Sequence, residues 1–442
     1  MLDNTHKEII KLKNGMRCLI LPTQSPLTEI SINIAYGSAN EKPNEVELAH
    51  YTEHLFARFL SKKYPDQTLL ENEMRKRGAE TNASVSLYET RYYIKGLYED
   101  VEFYMDILSN TMKNLVIEEK ITKQEKNAVS QELRIQMSDN EWKFDQKIWN
   151  YMYSKYAYQS DTPEHIRSLK NYDVNRIKKF VRNNYLLQNT TIILNCPYGG
   201  VKKTKVLLNK YFNLPNKCPK CFVSTPEFSY KHKKLQIIHI KNTSKSSNNV
   251  IVRHYVNKNI KFMSNEHIAI LYIKDILFNF QKGLFYKELR DKHGLIYSML
   301  LNLDIDMKNS KSSVYFLETS TKKHQVDLLI FHLINIISDI KITKSNIENS
   351  RQRFKIQHEM QKFNNLTTFN KLYRRFFTNN LPIVERSDIN KKIVDMDNQT
   401  IQKYVNIFKN DLMKGIVFYY SNKNLNKDIQ RKIGSVYEVH SI

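Results

Sequence analysis

Apolar and polar residues alternate with period two over several short stretches at the start of the chain. Ile9-Ile10-Lys11-Leu12 and Met16–Leu21 flank Asn14-Gly15, a dipeptide suited to the left-handed backbone of a tight turn, so residues 9–21 predict a β-hairpin. A further strand is expected over Ile30–Tyr36. Beyond Pro43 the period changes to that of a helix. Leu48, Tyr51, Leu55 and Phe59 recur on one face, and Asn44 with Glu47 three residues on offers a capping box, which predicts a helix over 45–61. Alternation returns at Asn82–Ser86 and Thr90–Ile94. Helices are expected over Val101–Asn114 and Thr122–Ser138, and Tyr185–Leu194 ends in the strand-like run Thr190–Leu194. Residues 213–232, with three prolines, read as a linker.

The second half repeats the plan. Lys234–Ile240 and Asn249–Tyr255 have strand character, Asn265–Phe280 and Leu284–Asp291 helical character, and Tyr297–Asp306 and Ser312–Leu317 strand character again, with helices to about Asn379. Strand pair, helix, strand pair and helices, met twice, indicate an internal duplication. The expected fold is α/β (α+β), with two homologous domains, each a mixed, mostly antiparallel sheet packed with helices. The boundaries drawn are 1–212, a linker at 213–232, and 233–442.

Composition changes this picture little. The 442 residues are 41% hydrophobic and 26% charged, as in ordinary globular proteins. No stretch approaches the roughly 20 apolar residues of a membrane span. The opening Met1-Leu-Asp-Asn-Thr-His-Lys-Glu8 carries no apolar signal segment, so a cytosolic location is the expectation, with an organelle or a viral factory as alternatives. Cys18, Cys196, Cys218 and Cys221 are too few for a disulfide framework. Cys218-Pro-Lys-Cys221 reads as part of a loop, with a redox pair or a partial metal site as the other readings. The net charge of +24 would favour acidic peptides, nucleic acid or an anionic surface. Its residues are spread along the chain without a nucleic-acid-binding motif, which argues against nucleic acid as partner.

Chemistry enters with His50-Tyr51-Thr52-Glu53-His54. On a helix His50 and His54 are one turn apart and project to the same side, so two imidazoles can meet one zinc ion. Glu53 lies near that face, placed to activate water. H-x-x-E-H is the inverted form of the commoner zinc-peptidase motif. The competing reading is an amphipathic helix whose histidines are satisfied by Glu53. A third ligand should come from another element. Glu125 and Glu132, seven residues apart on a helix, point the same way, and spacing does not choose between them or distinguish them from a solvated face.

The region from Leu12 to about Asp139 resembles the catalytic domain of the pitrilysin family, which includes insulin-degrading enzyme and the mitochondrial processing peptidases. Lys13–Pro22 resembles its opening hairpin, Ala35-Tyr-Gly-Ser-Ala-Asn-Glu41 its approach to the zinc helix, and Leu48-Ala-His50-Tyr-Thr-Glu53-His54 the motif itself. The resemblance implies His50, His54 and Glu132, the last 78 residues beyond His54, as zinc ligands, one ion per chain. It implies Glu53 as catalytic base and Glu125 as support for the ligands. Gly78-Ala-Glu-Thr-Asn82-Ala83 resembles the segment leading into the edge strand that pairs with bound peptide, which implies substrate contacts at Asn82 and Ala83. Phe285–Tyr297 resembles a second-half segment whose Arg and Tyr, here Arg290 and Tyr297, reach the substrate. Read alone, Arg290 is a helix C-terminal cation and Gly294 its cap. Glu47 stands where the family usually has Gly. Before the second-half helix, a Gly-rich stretch is reduced to Gly283.

These readings imply a zinc-dependent endopeptidase acting on short or unfolded polypeptides held as an extended strand in a two-domain chamber, completed by a second chain as homodimer or heterodimer. The rival readings are an inactive or weak subunit of the same fold serving as scaffold in a complex, and a dedicated processing protease for organellar presequences or a viral precursor.

Overall fold

The alternating pattern of the first residues becomes a hairpin in the computed structural model, which describes residues 7–42, 44–152, 162–214, 235–241, 249–279, 282–305, 313–361, 366–427 and 438–441. Strands β1 (Glu8–Lys11) and β2 (Arg17–Thr23) pair antiparallel. The Leu12 N–H donates to the Met16 carbonyl at 2.9 Å, leaving a three-residue loop in which Gly15 takes φ 87°, a conformation open to glycine at little cost. Strands β3 (Leu27–Ile34), β4 (Glu80–Val85), β5 (Thr90–Leu97) and β6 (Thr190–Pro197) complete a six-stranded sheet of order β1-β2-β6-β3-β5-β4. Only β2 and β6 run parallel.

Period two gives this sheet two apolar faces. Cys18, Ile20, Ile30, Ile32, Ile34, Ile192 and Leu194 face the main core. Leu19, Leu21 and Ile193, one position out of phase, meet Tyr373 and Phe377 from the helix Leu366–Thr378.

The second sheet contains β7 (Gln236–Lys241), β8 (Asn249–Asn257), β9 (Met299–Asp304), β10 (Val314–Lys322), β11 (Ile416–Ser421) and β12 (Glu438–Ser441), in the order β12-β7-β11-β8-β10-β9. This order repeats the first sheet position for position. β7 and β11 run parallel, as β2 and β6 do, and the pairs inward of them are antiparallel. Only the outermost strand differs: β12 is parallel to β7, whereas β1 is antiparallel to β2. The expected fold, two homologous sheets each packed with helices, is the fold observed.

The chain divides into two compact units, Met1–Asp139 with Lys155–Ser224 and Met360–Glu385, and Asn140–Ser154 with Thr225–Glu359 and Arg386–Ile442. Two helices therefore depart from the simple halves 1–212 and 233–442. Leu366–Thr378 covers the first sheet, and Asn140–Met152 covers the second, with Phe144 stacked on Tyr420 at 5.5 Å and Arg253 bonded to Glu141 at 2.8 Å. An apolar stripe reports that a helix is buried, not which sheet buries it. From residue 215 the expected linker lies outside the described residues, as do Cys218 and Cys221.

Four helices of the first unit position the site: α1 (Leu48–Ala57), α2 (Gln67–Lys76), α3 (Val101–Asn114) and α4 (Glu119–Ser138). α1 buries Leu48, Tyr51, Leu55 and Phe56, each worth roughly 1.5–3 kcal/mol of apolar burial, so Leu55→Ala would cost about 2–5 kcal/mol. This helix is shorter than the expected 45–61 at both ends. Glu47 is left-handed at φ 67° and cannot continue a helix backwards, and Phe59, at φ 54°, ends it. The expected helix Leu284–Asp291 is α-helical only over Leu284–Tyr286 and widens to a π-helix over Lys287–Lys292. Gly294, at φ 61°, closes it as the cap its sequence position suggests, its N–H donating to the Arg290 carbonyl at 2.8 Å.

Candidate active site

The N-terminus of α1 is held by a carboxylate from outside the helix. Glu41 accepts from the Ala49 N–H at 2.6 Å and from the Glu47 N–H at 3.1 Å, so two unpaired amides of the first turn are satisfied from six and eight residues upstream. The expected capping box on Asn44 and Glu47 does not form, because Glu47 turns its side chain to two histidines instead. Its Oε2 lies 2.9 Å from His50 Nδ1 and its Oε1 2.6 Å from His165 Nδ1. A non-glycine residue in this backbone conformation costs about 1–2 kcal/mol, which the surrounding contacts offset.

From this anchored start α1 presents His50, Glu53 and His54 on one side, while its apolar residues face the sheet. The two rings lie 5.0 Å apart between centroids, and ligand atoms of His50, Glu53 and His54 all fall within 4.8 Å of one another. α4 packs beside α1, with Val129 and Leu133 buried. Its two acidic residues, which spacing left equivalent, take different places. Glu132 Oε2 is 3.3 Å from His50 Nε2 and 3.4 Å from His54 Nε2. Glu125 sits on the far side of the second ring. Its Oε2 lies 3.0 Å from His54 Nδ1, and its Oε1 accepts from Arg58 Nε at 2.6 Å.

Both Nδ1 atoms thus face a carboxylate, which makes them the protonated nitrogens and turns both Nε2 lone pairs towards Glu132. A tetrahedral zinc with arms of about 2.0–2.1 Å has its ligand atoms about 3.3–3.4 Å apart. The two Nε2–Oε2 separations match that spacing and exceed the roughly 2.7–2.9 Å of an ordinary charge-assisted hydrogen bond. His50, His54 and Glu132 are therefore a donor set that could hold zinc, and two nitrogens with one carboxylate oxygen suit that metal.

Electrostatics follow the contacts. Burial drives the Glu53 carboxyl above the usual carboxylate range, with the charges of Glu132 and Glu125 adding to it and the two histidines opposing. Burial also pushes Glu47 up, but the hydrogen bonds from His165 and His50 outweigh it and hold the group at about 2. Glu125 is likewise lowered, burial being overcome by His54 and Arg58. Both ring pKa values lie above the ordinary histidine value. Burial lowers them, but the bond from Glu47 to His50 and the bond from Glu125 to His54 win.

The edge strand β4 lies against α1. Two cavities flank the cluster, of about 620 Å³ and about 490 Å³, and Glu53, His54 and Ala83 line both. Asn82 lines the larger one, and its Oδ1 accepts the Ala83 N–H at 2.7 Å. Arg290 and Tyr297 belong to the other unit. There the Arg290 guanidinium lies 4.7 Å from the Tyr286 ring centroid and 4.9 Å from that of Tyr297, a residue that is 70% exposed.

Sequence reasoning missed Glu41, Arg58 and His165, and gave Glu47 the wrong task. An acidic residue three before a ligand histidine was the available signal for Glu47, and an arginine four after His54 for Arg58. In the second unit, the helix Asn265–Phe278 follows β8 and precedes β9, which hold the sheet positions of β3 and β4 on either side of α1, and it carries no H-x-x-E-H.

Two family models match the chain: "Insulinase (Peptidase family M16)" over residues 20–166 and "Peptidase M16 inactive domain" over residues 171–354. The chain is 26% identical over 231 residues to the zinc protease PqqE of Helicobacter pylori, covering 50% of this chain and 49% of that one. It is 26% identical over 179 residues to the mitochondrial-processing peptidase subunit beta of Dictyostelium discoideum, covering 40% and 38%. These matches span half or less of the relatives' length. Among solved structures, a protease from Helicobacter pylori superposes with a TM-score of 0.77 at 19% identity, over 94% of this chain and 99% of that one. Pitrilysin superposes with a TM-score of 0.70 at 19% identity, over 95% of this chain and 45% of that one. The absence of the motif from the second unit agrees with the description of the second family model.

Proposed function

Because this chain belongs to the insulinase family, peptidase family M16, we propose that it is a zinc-dependent endopeptidase that hydrolyses short or unfolded polypeptides. The observation that carries this reading is the convergence of His50 Nε2 and His54 Nε2 on one Glu132 oxygen, at 3.3 and 3.4 Å.

What zinc supplies when bound is a Lewis acid that brings the pKa of water towards about 7 and draws charge from a carbonyl oxygen. The chain's own residues do the rest. Glu53, raised by burial, accepts the proton of the attacking water and returns it to the departing amine. Glu125 and Arg58 fix the His54 ring. The edge of β4 receives the substrate as an added strand, and Asn82 and Ala83 lie where it pairs. An incoming strand must displace the Asn82 side chain to use the Ala83 N–H. Tyr297 donates to the developing oxyanion, and Arg290 holds a peptide carbonyl.

A second chain, identical or different, completes the enclosure. Among the described residues no helix is long and apolar enough to cross a membrane.

A scaffold role within a complex is the second reading. A relative named as a subunit of a processing peptidase favours it, and the presence of all four metal and acid–base residues weighs against it. Zinc content and cleavage of an unstructured fluorogenic peptide, for wild type and Glu53→Gln side by side, separate the two. The expected result is about one zinc per chain in both proteins and a rate lowered roughly 10²–10⁴-fold in the variant. An undiminished rate refutes the role of Glu53. Absence of zinc from both proteins overturns the peptidase reading in favour of the scaffold.

A further inference from the structure

Glu47 combines three features that a passive turn residue does not need. It is left-handed at φ 67° without being glycine, its carboxylate is nearly buried, and both its oxygens are committed to histidines. The turn is held from below by the Glu41 carboxylate on the Glu47 N–H and by the Tyr172 hydroxyl, which donates to the Val46 carbonyl at 2.7 Å. This bracing sets where the Glu47 side chain points. Behind it, His165 is buried, its Nδ1 on Glu47 and its Nε2 without a partner among the described residues. Among the described residues Glu47 alone is hydrogen-bonded to the His165 ring, so the Glu47 carboxylate is clamped between two rings.

We propose that Glu47 is a positioning residue for the metal site: it fixes the His50 ring with Nδ1 protonated and Nε2 free, as Glu125 does for His54, and His165 fixes Glu47. The chain thereby braces each histidine ligand with its own carboxylate, from α1's own first turn on one side and from α4 on the other. A metal-bound imidazole whose second nitrogen donates to a carboxylate is oriented and made a stronger donor. The inference rests on the proposed zinc site.

The test uses the full chain and the variants Glu47→Gly and Glu47→Gln. Glycine removes the carboxylate from a turn that glycine adopts freely, and glutamine keeps the size and one acceptor. Zinc affinity is measured by competition with a chromophoric chelator. The visible absorption of the cobalt-substituted protein reports ligand geometry directly, and thermal midpoints of the chelated proteins report folding alone. Glu47→Gly should bind zinc about 10–100-fold more weakly with an altered cobalt spectrum, and Glu47→Gln should lie between it and wild type. The chelated midpoints should stay within a few degrees of wild type. A purely structural Glu47 would lower the chelated midpoint and leave the cobalt spectrum unchanged. If wild type binds zinc and both variants match its affinity and spectrum, the inference is overturned while the peptidase reading stands. If wild type takes up neither metal, the peptidase reading falls, and this inference with it.

Discussion

Replacing Glu125 by Gln isolates the orientation of His54 from the ligand set itself. Glu125 now accepts from His54 through Oε2 and from Arg58 through Oε1. Glutamine has nearly the same shape, but one of its two ends is a donor, so it must confront either the His54 N–H or the guanidinium with an N–H of its own. Loss of such an orienting group lowers metal affinity about 10–100-fold, or roughly 1.4–2.7 kcal/mol. Zinc that binds only the native fold stabilises it by an amount set by its affinity, so the same energy disappears from the metal-induced stabilisation at a fixed excess of zinc. For units of about 200 residues each kcal/mol moves the midpoint by roughly 2–4 °C, which puts the zinc-dependent rise in midpoint about 3–11 °C below that of wild type. Arg58 also loses its counter-charge, but its side chain is 20% exposed. Water takes over part of the bond, and the chelated protein should lose no more than about 1.5 kcal/mol. Calorimetry with and without zinc reads both quantities. A Glu125→Gln protein whose zinc-dependent rise equals that of wild type would refute the support role, and with it the division of labour between Glu125 and Glu132.

Three further tests address other parts of the molecule. His254 is fully buried, its Nε2 2.8 Å from the Leu412 carbonyl, and burial lowers its pKa from 6.5 to about 4 despite that bond. Because the folded value is depressed, the unfolded chain binds the proton first, and stability is lost as pH falls from about 6.5 to 4, by up to roughly 3 kcal/mol. Urea midpoints in chelator should flatten over that window in His254→Gln, and an unchanged slope would rule the residue out. Gly37 packs under the β4–β5 turn, where an added Cβ would fall 2.1 Å from the Ser86 carbonyl oxygen. Gly37→Ala should therefore cost at least about 1–3 kcal/mol in urea unfolding, and a wild-type midpoint would contradict the close approach. Tyr297→Phe should lower kcat by about 10–10³-fold with KM little changed, and an unaltered kcat would remove Tyr297 from oxyanion stabilisation.

Much of the architecture was legible because each half alternates at period two where it forms sheet. β1, β2, β3, β5 and β6 fall where the pattern put them, and α3 matches Val101–Asn114 residue for residue. What escaped was whatever depends on partners distant in sequence. The start of α1 was misplaced because Glu47 reads as a helix former, while the real cap, Glu41, acts from eight residues before Ala49. The helices Asn140–Met152 and Leu366–Thr378 carry apolar stripes that fit either sheet. In the site, the His50–His54 spacing was enough to propose a metal. The choice of Glu132 over Glu125 came from resemblance alone, since both lie on one face of α4. Only their distances from the two rings, 3.3 and 3.4 Å to Nε2 against 3.0 Å to Nδ1, distinguish them physically.

Charge gives an independent reason to read the cluster as a cation site. The chain carries +24 overall, yet Glu47, Glu53, Glu125 and Glu132 converge on two imidazoles with one guanidinium among them. With both rings neutral, that region holds three more negative charges than positive ones. Like charges brought together out of water raise one another's proton affinity. Glu53 shows this, lifted by burial first and by Glu132 and Glu125 after it, and so does Glu41, pushed well above its usual range by burial and by Glu47. A protein could lower this cost by replacing one glutamate with glutamine. Instead the chain keeps four carboxylates and binds two of them, Glu47 and Glu125, to Nδ1 atoms, one on each ring, the arrangement that frees both Nε2 atoms. A divalent cation between those atoms and Glu132 would cancel most of the excess charge and lower the proton affinity of Glu53, which suits a general base. Protons on the rings could cancel the same charge, but they would occupy the Nε2 lone pairs that the Nδ1 contacts leave open. The braces raise the affinity of both Nε2 atoms for either counter-charge, and a divalent cation is the one that the single Glu132 oxygen, 3.3 and 3.4 Å from the two of them, would share as a ligand.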